Sequence, residues 1–73
     1  MAEKILIIGS LGQVGQELFE SLKLSYGASN VIASDVKDGV NIEGRYEKLD
    51  ILDKSALFDL VKKNGITQVY NLA

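Results

Sequence analysis

Three glycines, each three residues from the next, separate a short apolar run from a segment with helical periodicity. Gly9, Gly12 and Gly15 follow the run Lys4 to Ile8, which is rich in isoleucine and suits a strand buried on both faces. The segment Gln13 to Tyr26 then places apolar residues along one side of an α-helix. The sequence therefore predicts a strand, a tight glycine turn and an amphipathic helix in direct succession.

The predicted first helix has an apolar stripe and a polar side. Val14, Leu18 and Leu22 recur at every fourth position, with Phe19 beside them. The polar side consists of Gln16, Glu17, Glu20 and Lys23. Gly27 follows, and we expect it to end the helix in the left-handed conformation.

The rest of the chain continues the alternation. Asn30 to Ser34 predicts a second strand ending at Asp35, and Val36 to Gly44 is polar and glycine-rich, which predicts a loop. Arg45 to Leu49 predicts a weaker third strand.

A second helix and a fourth strand complete the pattern. Asp53 is a suitable N-cap, and Asn64 with Gly65 is a suitable end. The apolar stripe of this helix consists of Ala56, Leu57, Leu60 and Val61. Ile66 to Leu72 predicts the fourth strand.

Strands that alternate with helices at this spacing indicate βαβ units and a parallel sheet. Right-handed crossovers place the strands in the order 3-2-1-4, with the helices on opposite faces. We therefore predict an α/β fold in which residues 1–73 form the N-terminal part of a Rossmann doubly wound parallel sheet. A complete doubly wound domain would continue beyond Ala73.

The glycine turn has the features of a dinucleotide site. Gly9 would allow the tight turn, Gly12 would let the backbone approach a pyrophosphate, and Gly15 would let the helix pack on the strand. Gln13 and Val14 lie in the same turn and belong to the predicted site, where backbone N–H groups and the helix dipole face the anion. A glycine-rich loop without a ligand is the alternative, but the strand before it and the helix after it favour binding.

Asp35 lies about 20 residues after Gly15, where this fingerprint places an acid. Its carboxylate would accept hydrogen bonds from the adenosine ribose and repel the 2′-phosphate of NADP, which favours NAD. The alternative is an Asp that serves a turn or a cap. Lys37 is close enough to soften the exclusion of NADP, unless it is simply a surface lysine.

Two further pairs follow the third and fourth strands. Asp50 could meet the adenine amino group and Ile51 could press on the ring, but Asp50 could equally belong to the turn before Asp53. Leu72 and Ala73 end the fourth strand on the ligand side of the sheet, where the small Ala73 would let a cofactor pass closely.

Composition argues against several other functions. The formal net charge is −2 and no Lys/Arg cluster is present, which disfavours nucleic-acid binding. Without Cys or His there is no disulfide, no thiolate or histidine metal site and no Ser-His-Asp triad. No apolar run approaches the roughly 20 residues of a membrane helix. We expect a soluble cytoplasmic protein that binds neither membranes nor nucleic acids.

Together these motifs resemble the extended short-chain dehydrogenase/reductase family, which includes nucleotide-sugar epimerases, dehydratases and dehydrogenases. This chain has counterparts of four family features: the G-x-x-G-x-x-G turn, the acid after the second strand, the Asp-aliphatic pair after the third strand and the small residues that end the fourth strand. These counterparts are Gly9, Gly12, Gly15, Asp35, Asp50-Ile51 and Leu72-Ala73. Two positions depart from the pattern, because Ile8 replaces a frequent Thr and Asn71 a frequent His.

A closer resemblance is to short-chain L-threonine 3-dehydrogenases, above all in the run Asn30 to Asp35. Further likeness lies in Gly12 to Gly15, Glu17-Leu18, Tyr26-Gly27 and Ile66 to Tyr70. The resemblance covers only the first part of a typical member. It implies NAD as cofactor and the oxidation of L-threonine to 2-amino-3-oxobutanoate.

Catalysis in the family uses a Tyr-x-x-x-Lys pair with a Ser or Thr, and this chain has no such pair. Three hypotheses stay open: part of a longer dehydrogenase or epimerase, a free-standing nucleotide-binding module, or a deliberately minimised half of a Rossmann fold without native function. We expect a homodimer for a full-length parent. For an isolated fragment, we expect self-association through the open edge of the fourth strand.

Overall fold

The computed structural model describes residues 3–39 and 42–73, whose elements follow the predicted order. The strands are β1 (Ile5–Ile8), β2 (Val31–Asp35), β3 (Arg45–Lys48) and β4 (Gln68–Asn71), and the helices are α1 (Gln13–Tyr26) and α2 (Lys54–Asn64). A 3-10 turn spans Ala28–Asn30. Neither of the two helices in these ranges is long and apolar enough to cross a membrane.

The four strands form one parallel sheet in the order β3-β2-β1-β4, which confirms the predicted fold. β1 lies between two neighbours, with Ile5 opposite Val31 on one side and Gln68 on the other. Parallel pairing on both sides satisfies the backbone polar groups of β1 within the sheet, so the strand can be fully buried.

The core lies on both faces of β1, because successive side chains of a strand point to opposite faces. Ile5 and Ile7 pack in one cluster with Phe19 of α1. Leu6 and Ile8 belong to a second cluster, against which α2 packs. The two helices therefore lie on opposite faces of the sheet, as predicted.

The buried stripe of α1 differs from the predicted one. Val14 is 68% exposed, whereas Gly15, Phe19 and Leu22 are buried. Gly15 faces the backbone of the glycine turn. Adjacent helical positions differ by about 100° in direction, so Val14 turns away from the sheet. The prediction that Val14 belongs to the apolar side of α1 that packs on the sheet was therefore wrong.

Gly27 ends α1 as predicted, but outside the left-handed α region, with φ of 93° and ψ of 140°. Its N–H still donates to Lys23 O at 2.9 Å. The extended ψ leads into the 3-10 turn Ala28–Asn30, in which the Asn30 side-chain amide donates to Tyr26 O at 2.7 Å. Asn30 therefore caps the end of α1 and does not begin β2.

Other boundaries differ by one or two residues. β1 begins at Ile5 and β3 ends at Lys48, each one residue inside the predicted bounds. β4 begins at Gln68, because Ile66 packs with the α2 cluster before regular pairing starts. β4 is an edge strand, and its Val69 is half exposed. The described residues of the loop between β2 and β3 contain neither helix nor strand, as predicted.

Both ends of α2 match the expectation from sequence. The Asp53 carboxylate accepts a hydrogen bond from Ala56 N–H at 3.1 Å, and Gly65 ends the helix in the left-handed conformation, with φ of 61° and ψ of 40°. The N-cap bond satisfies one of the backbone N–H groups that the first turn of a helix leaves without a partner.

We predict that Asp53→Ala lowers the free energy of unfolding by about 1 kcal/mol, because it removes this N-cap acceptor. Asp59→Ala removes an exposed carboxylate from the middle of the same helix and should change stability by less than about 0.5 kcal/mol. Urea denaturation followed by far-ultraviolet circular dichroism measures both variants. Equal stability of the two would contradict the role of Asp53.

Candidate functional site

The carboxyl ends of all four strands meet at one edge of the sheet. Ile8, the last residue of β1, lies opposite Ser34 on one side and Asn71 on the other, and Asp35 lies opposite Lys48. The segments that follow the strands contain most of the predicted site residues. The register of the sheet therefore gathers them at the edge where open α/β sheets bind ligands.

β2 anchors the glycine turn. The N–H groups of Gly9 and Ser10 both donate to Ser34 O at 2.9 Å. The Ser34 hydroxyl donates to Ile7 O at 2.6 Å, so its side chain also bonds β1. Ser34 is fully buried. It was not predicted as a site residue, because a serine inside a strand carries no sequence signal for this role.

Gly9 and Gly15 are required by the packing of the turn. Gly9 has φ of 83°, and a Cβ there would lie 2.9 Å from the backbone nitrogen of Ala73. A Cβ on Gly15 would lie 2.7 Å from Gly9 O and from Ser10 Cα. Both contacts are with backbone atoms, which cannot move aside without displacing the turn.

Gly12 is different, because a Cβ built there meets no atom of the described chain within 4 Å. Its φ of −70° and ψ of 166° are accessible to other residues. Folding of the described residues therefore does not require glycine at this position. The space in front of Gly12 is open to a ligand.

The first turn of α1 lacks the usual caps. In residues 3–39 and 42–73, no side chain caps the helix at Gly12, and the first turn contains no acidic residue. The N-cap residue thus provides no side-chain acceptor for the first backbone N–H groups of α1, and the helix has no acid of its own at the positive end of its dipole. Gln13 and Val14, both exposed, flank this opening. The arrangement suits an external anion such as a phosphate.

Asp35 is directly linked to the turn. Its Oδ2 accepts a hydrogen bond from Leu11 N–H at 3.0 Å, and its Oδ1 accepts one from Val36 N–H at 2.7 Å. Each carboxylate oxygen keeps a further lone pair for another donor. Asp35 thus has both the structural role and the geometry for the ligand role that the sequence left as alternatives.

A cavity of about 340 Å³ lies beside these groups, at the low end of the range for small-molecule sites. It brings together half of the predicted site residues: Gly9, Asp35, Asp50, Ile51 and Ala73. Its other lining residues are Ile8, Val36, Leu49 and Leu52. A cleft of about 400 Å³ beside Lys23 and Leu24 contains none of the predicted residues, so volume alone does not identify the site.

The two pairs after β3 and β4 occupy different surroundings. The Asp50 Oδ1 accepts a hydrogen bond from Leu52 N–H at 2.9 Å, which is the turn role considered as the alternative. Ile51 is partly buried against the α2 cluster. Leu72 does not line the cavity, but its N–H donates to Ile8 O at 2.8 Å and brings Ala73 next to Gly9.

A four-stranded parallel sheet in the order 3-2-1-4, with a glycine turn between the first strand and the first helix, defines a Rossmann-type α/β fold. The model of the NAD dependent epimerase/dehydratase family matches residues 5–73. This chain belongs to that family.

Known relatives agree with this assignment. An uncharacterized epimerase/dehydratase of Staphylococcus aureus strain USA300 is 39% identical over 64 residues, covering 82% of this chain and 20% of that protein. The L-threonine dehydrogenase of Clostridium difficile has a TM-score of 0.91 and 41% identity, covering 99% of this chain and 24% of that one. The holo form of a GalE-like L-threonine dehydrogenase from Cupriavidus necator has a TM-score of 0.88 and 46% identity, covering 96% and 23%. This chain therefore spans a fifth to a quarter of their length.

We predict that Gly15→Ala destabilises the fold by about 2–3 kcal/mol, because the new methyl group overlaps the backbone of the turn. Gly12→Ala should cost less than about 1 kcal/mol, because the methyl group enters open space and only the cap preference changes. Urea denaturation of the two variants and the wild type provides the comparison. Similar losses at both positions would contradict the assignment of separate roles to these glycines.

Proposed function

We propose that this chain binds NAD by its pyrophosphate and adenosine, as part of an NAD-dependent oxidoreductase. One observation carries the proposal: the open, uncapped start of α1 and the Asp35 carboxylate belong to the same turn, joined by the Leu11 N–H bond of 3.0 Å to Oδ2. A pyrophosphate needs backbone donors, and the adenosine ribose needs an acceptor beside them. Membership of an NAD-dependent family supports the same cofactor.

Different residues would hold different parts of the cofactor. Gly12, Gln13 and Val14 would offer backbone N–H groups to the pyrophosphate, which the absence of a Cβ on Gly12 lets approach closely. Asp35 would accept the ribose hydroxyls with its remaining lone pairs. Gly9 and Gly15 would shape the turn without contacting the phosphates.

The cavity at the sheet edge would receive the adenine ring. Ile51 would contact one face of the ring, and Ala73, beside Gly9, would leave room for the cofactor to pass. The Asp50 Oδ1 is used in the turn with Leu52, so we assign Oδ2 to the adenine amino group. Leu72 would act through its backbone, which holds Ala73 at this edge.

We further propose that the complete protein oxidises L-threonine to 2-amino-3-oxobutanoate. The solved structures similar to this chain at 41% and 46% identity are named as L-threonine dehydrogenases. When bound, NAD supplies the acceptor for the hydride that leaves the alcohol carbon. Asn30 and Asp50 stand four residues after Tyr26 and Tyr46, so neither of these tyrosines belongs to a Tyr-x-x-x-Lys pair. Residues 1–73 would bind and orient the cofactor, and the proton would be taken by residues outside them.

A nucleotide-sugar epimerase or dehydratase is the second candidate, favoured by the name of the Staphylococcus aureus relative and of the family. The two candidates differ in the substrate that a longer protein containing these residues consumes. Reduction of NAD in the presence of L-threonine, and no turnover of nucleotide sugars such as UDP-glucose, is the expected result. The opposite pattern would support the epimerase/dehydratase function.

We predict that Gly12→Ala weakens NADH binding at least about 10-fold while the fold is retained, because a methyl group would occupy the space of the pyrophosphate. Calorimetric titration with NADH, together with circular dichroism of the same samples, measures both properties. Ser21→Ala, at an exposed position further along α1, is the control. Wild-type affinity in Gly12→Ala would place the pyrophosphate elsewhere, and no NADH binding by the wild type would contradict the proposed function of this chain.

We predict that Asp35→Ala weakens NADH binding more than NADPH binding. The ratio of the NADPH to the NADH dissociation constant should therefore fall by about 10-fold. The ratio is the informative quantity, because removing the acceptor of Leu11 N–H should also loosen the turn for both cofactors. Asp59→Ala, which removes an exposed acid of α2 that does not line the cavity, is the matched control. An unchanged ratio in Asp35→Ala would contradict its ribose role.

A further inference from the structure

We propose that Tyr46 is a positioning residue that fixes the turn 36–39 beside Asp35 and thereby strengthens the preference for NAD over NADP. This inference rests on the proposed binding of NAD and adds a residue of β3 to the determinants of cofactor choice.

The Tyr46 side chain reaches from β3 to the backbone that follows Asp35. Its hydroxyl donates to Lys37 O and also lies 3.4 Å from Asp35 O. The Asp35 carbonyl in addition accepts Leu49 N–H at 2.8 Å. The Tyr46 side chain thus contacts the backbone carbonyls of Asp35 and Lys37, the residues on either side of Val36.

The ring of Tyr46 holds the same turn by packing. A Cβ built on Gly39 would lie 2.6 Å from Cδ2 and 2.8 Å from Cε2 of the ring. The backbone at Gly39 therefore approaches the ring more closely than any other residue type would allow. The ring itself packs against the core cluster on the α1 face, which gives the turn a rigid support.

The other side-chain contact between this turn and β3 is weaker. Asp38 and Lys48 approach to 3.3 Å, but their side chains are 81% and 61% exposed. Ion pairs between exposed side chains contribute little to stability, because water and salt screen them. Among the described residues, Tyr46 thus makes the main contacts between the turn and β3.

The surroundings of Tyr46 keep its hydroxyl protonated. Burial raises the pKa of the Tyr46 phenol above 10.0, and the nearby charges of Asp35 and Asp38 raise it further. The protonated form is the one that donates to Lys37 O. Because the folded-state pKa is raised, this contribution is complete below pH 10 and is lost as the pH rises through the folded-state pKa.

The position of this turn matters for the 2′-phosphate of NADP. Asp35 would face that phosphate with a like charge, so binding NADP requires the carboxylate to turn away and a cation to approach. Lys37 is the cation within this turn, and its carbonyl is the group that Tyr46 holds. A fixed backbone at Lys37 therefore keeps the acid, and not the lysine, at the ribose.

Tyr46→Phe tests the inference, because it removes the hydroxyl and leaves the ring. The loss of one hydrogen bond should lower the ratio of NADPH to NADH dissociation constants by about five-fold. Hydrogen exchange at the amides of Lys37, Asp38 and Gly39 should accelerate. Tyr26→Phe, at the exposed end of α1, is the control and should change neither quantity.

A second variant approaches the same contact from the turn. Gly39→Ala places a methyl group against the ring and should lower the same ratio while Tyr46 remains intact. NADH binding with an unchanged ratio in both variants would overturn the inference and leave the proposed function standing. Failure of the wild type to bind NADH contradicts the proposed function and the role of Tyr46 in cofactor choice together, whereas hydrogen exchange still reports whether Tyr46 holds the turn.

Discussion

The full burial of β1 is the constraint on which the other features depend. Its four side chains are at most 4% exposed, so both faces need a covering layer and both backbone edges need a strand. α1 and α2 provide the layers, and β2 and β4 provide the strands. A strand enclosed on four sides leaves only its two ends for functional groups, and in parallel sheets ligands bind beyond the carboxyl ends. The glycine turn lies there.

The glycines of the turn have two different kinds of surroundings. Gly9 and Gly15 face backbone atoms of the protein, while Gly12 faces open space. Ser34 and Asp35, adjacent at the end of β2, hold the first part of the turn through the N–H groups of Gly9, Ser10 and Leu11. The acid that we assign to the ribose thus also keeps the phosphate-facing backbone in shape, which couples the two halves of the proposed adenosine diphosphate site.

Local patterns predicted the strand order, both helices and the cap of α2, because alternation, periodicity and capping act over a few residues. The errors have a different origin. Val14 fits the apolar period, but Gly15 decides which side of α1 approaches the sheet. Asn30 has a place in a strand pattern, yet its amide finds Tyr26 O four residues earlier. Ser34 and Tyr46 act through hydrogen bonds to backbone carbonyls that are 27 and 9 residues away in the sequence, and no local sequence pattern predicts such contacts.

If a dinucleotide binds as proposed, the uncapped start of α1 would link its supply to the stability of the folded state. A helix that brings no anion of its own leaves part of its stabilisation to whatever binds there. A ligand present at 100 times its dissociation constant adds about 2.7 kcal/mol to the folded state, a large share of the stability of a small domain. The concentration of dinucleotide would thus help to determine the fraction of the polypeptide that is unfolded and therefore open to degradation. No separate sensor of the cofactor would be needed.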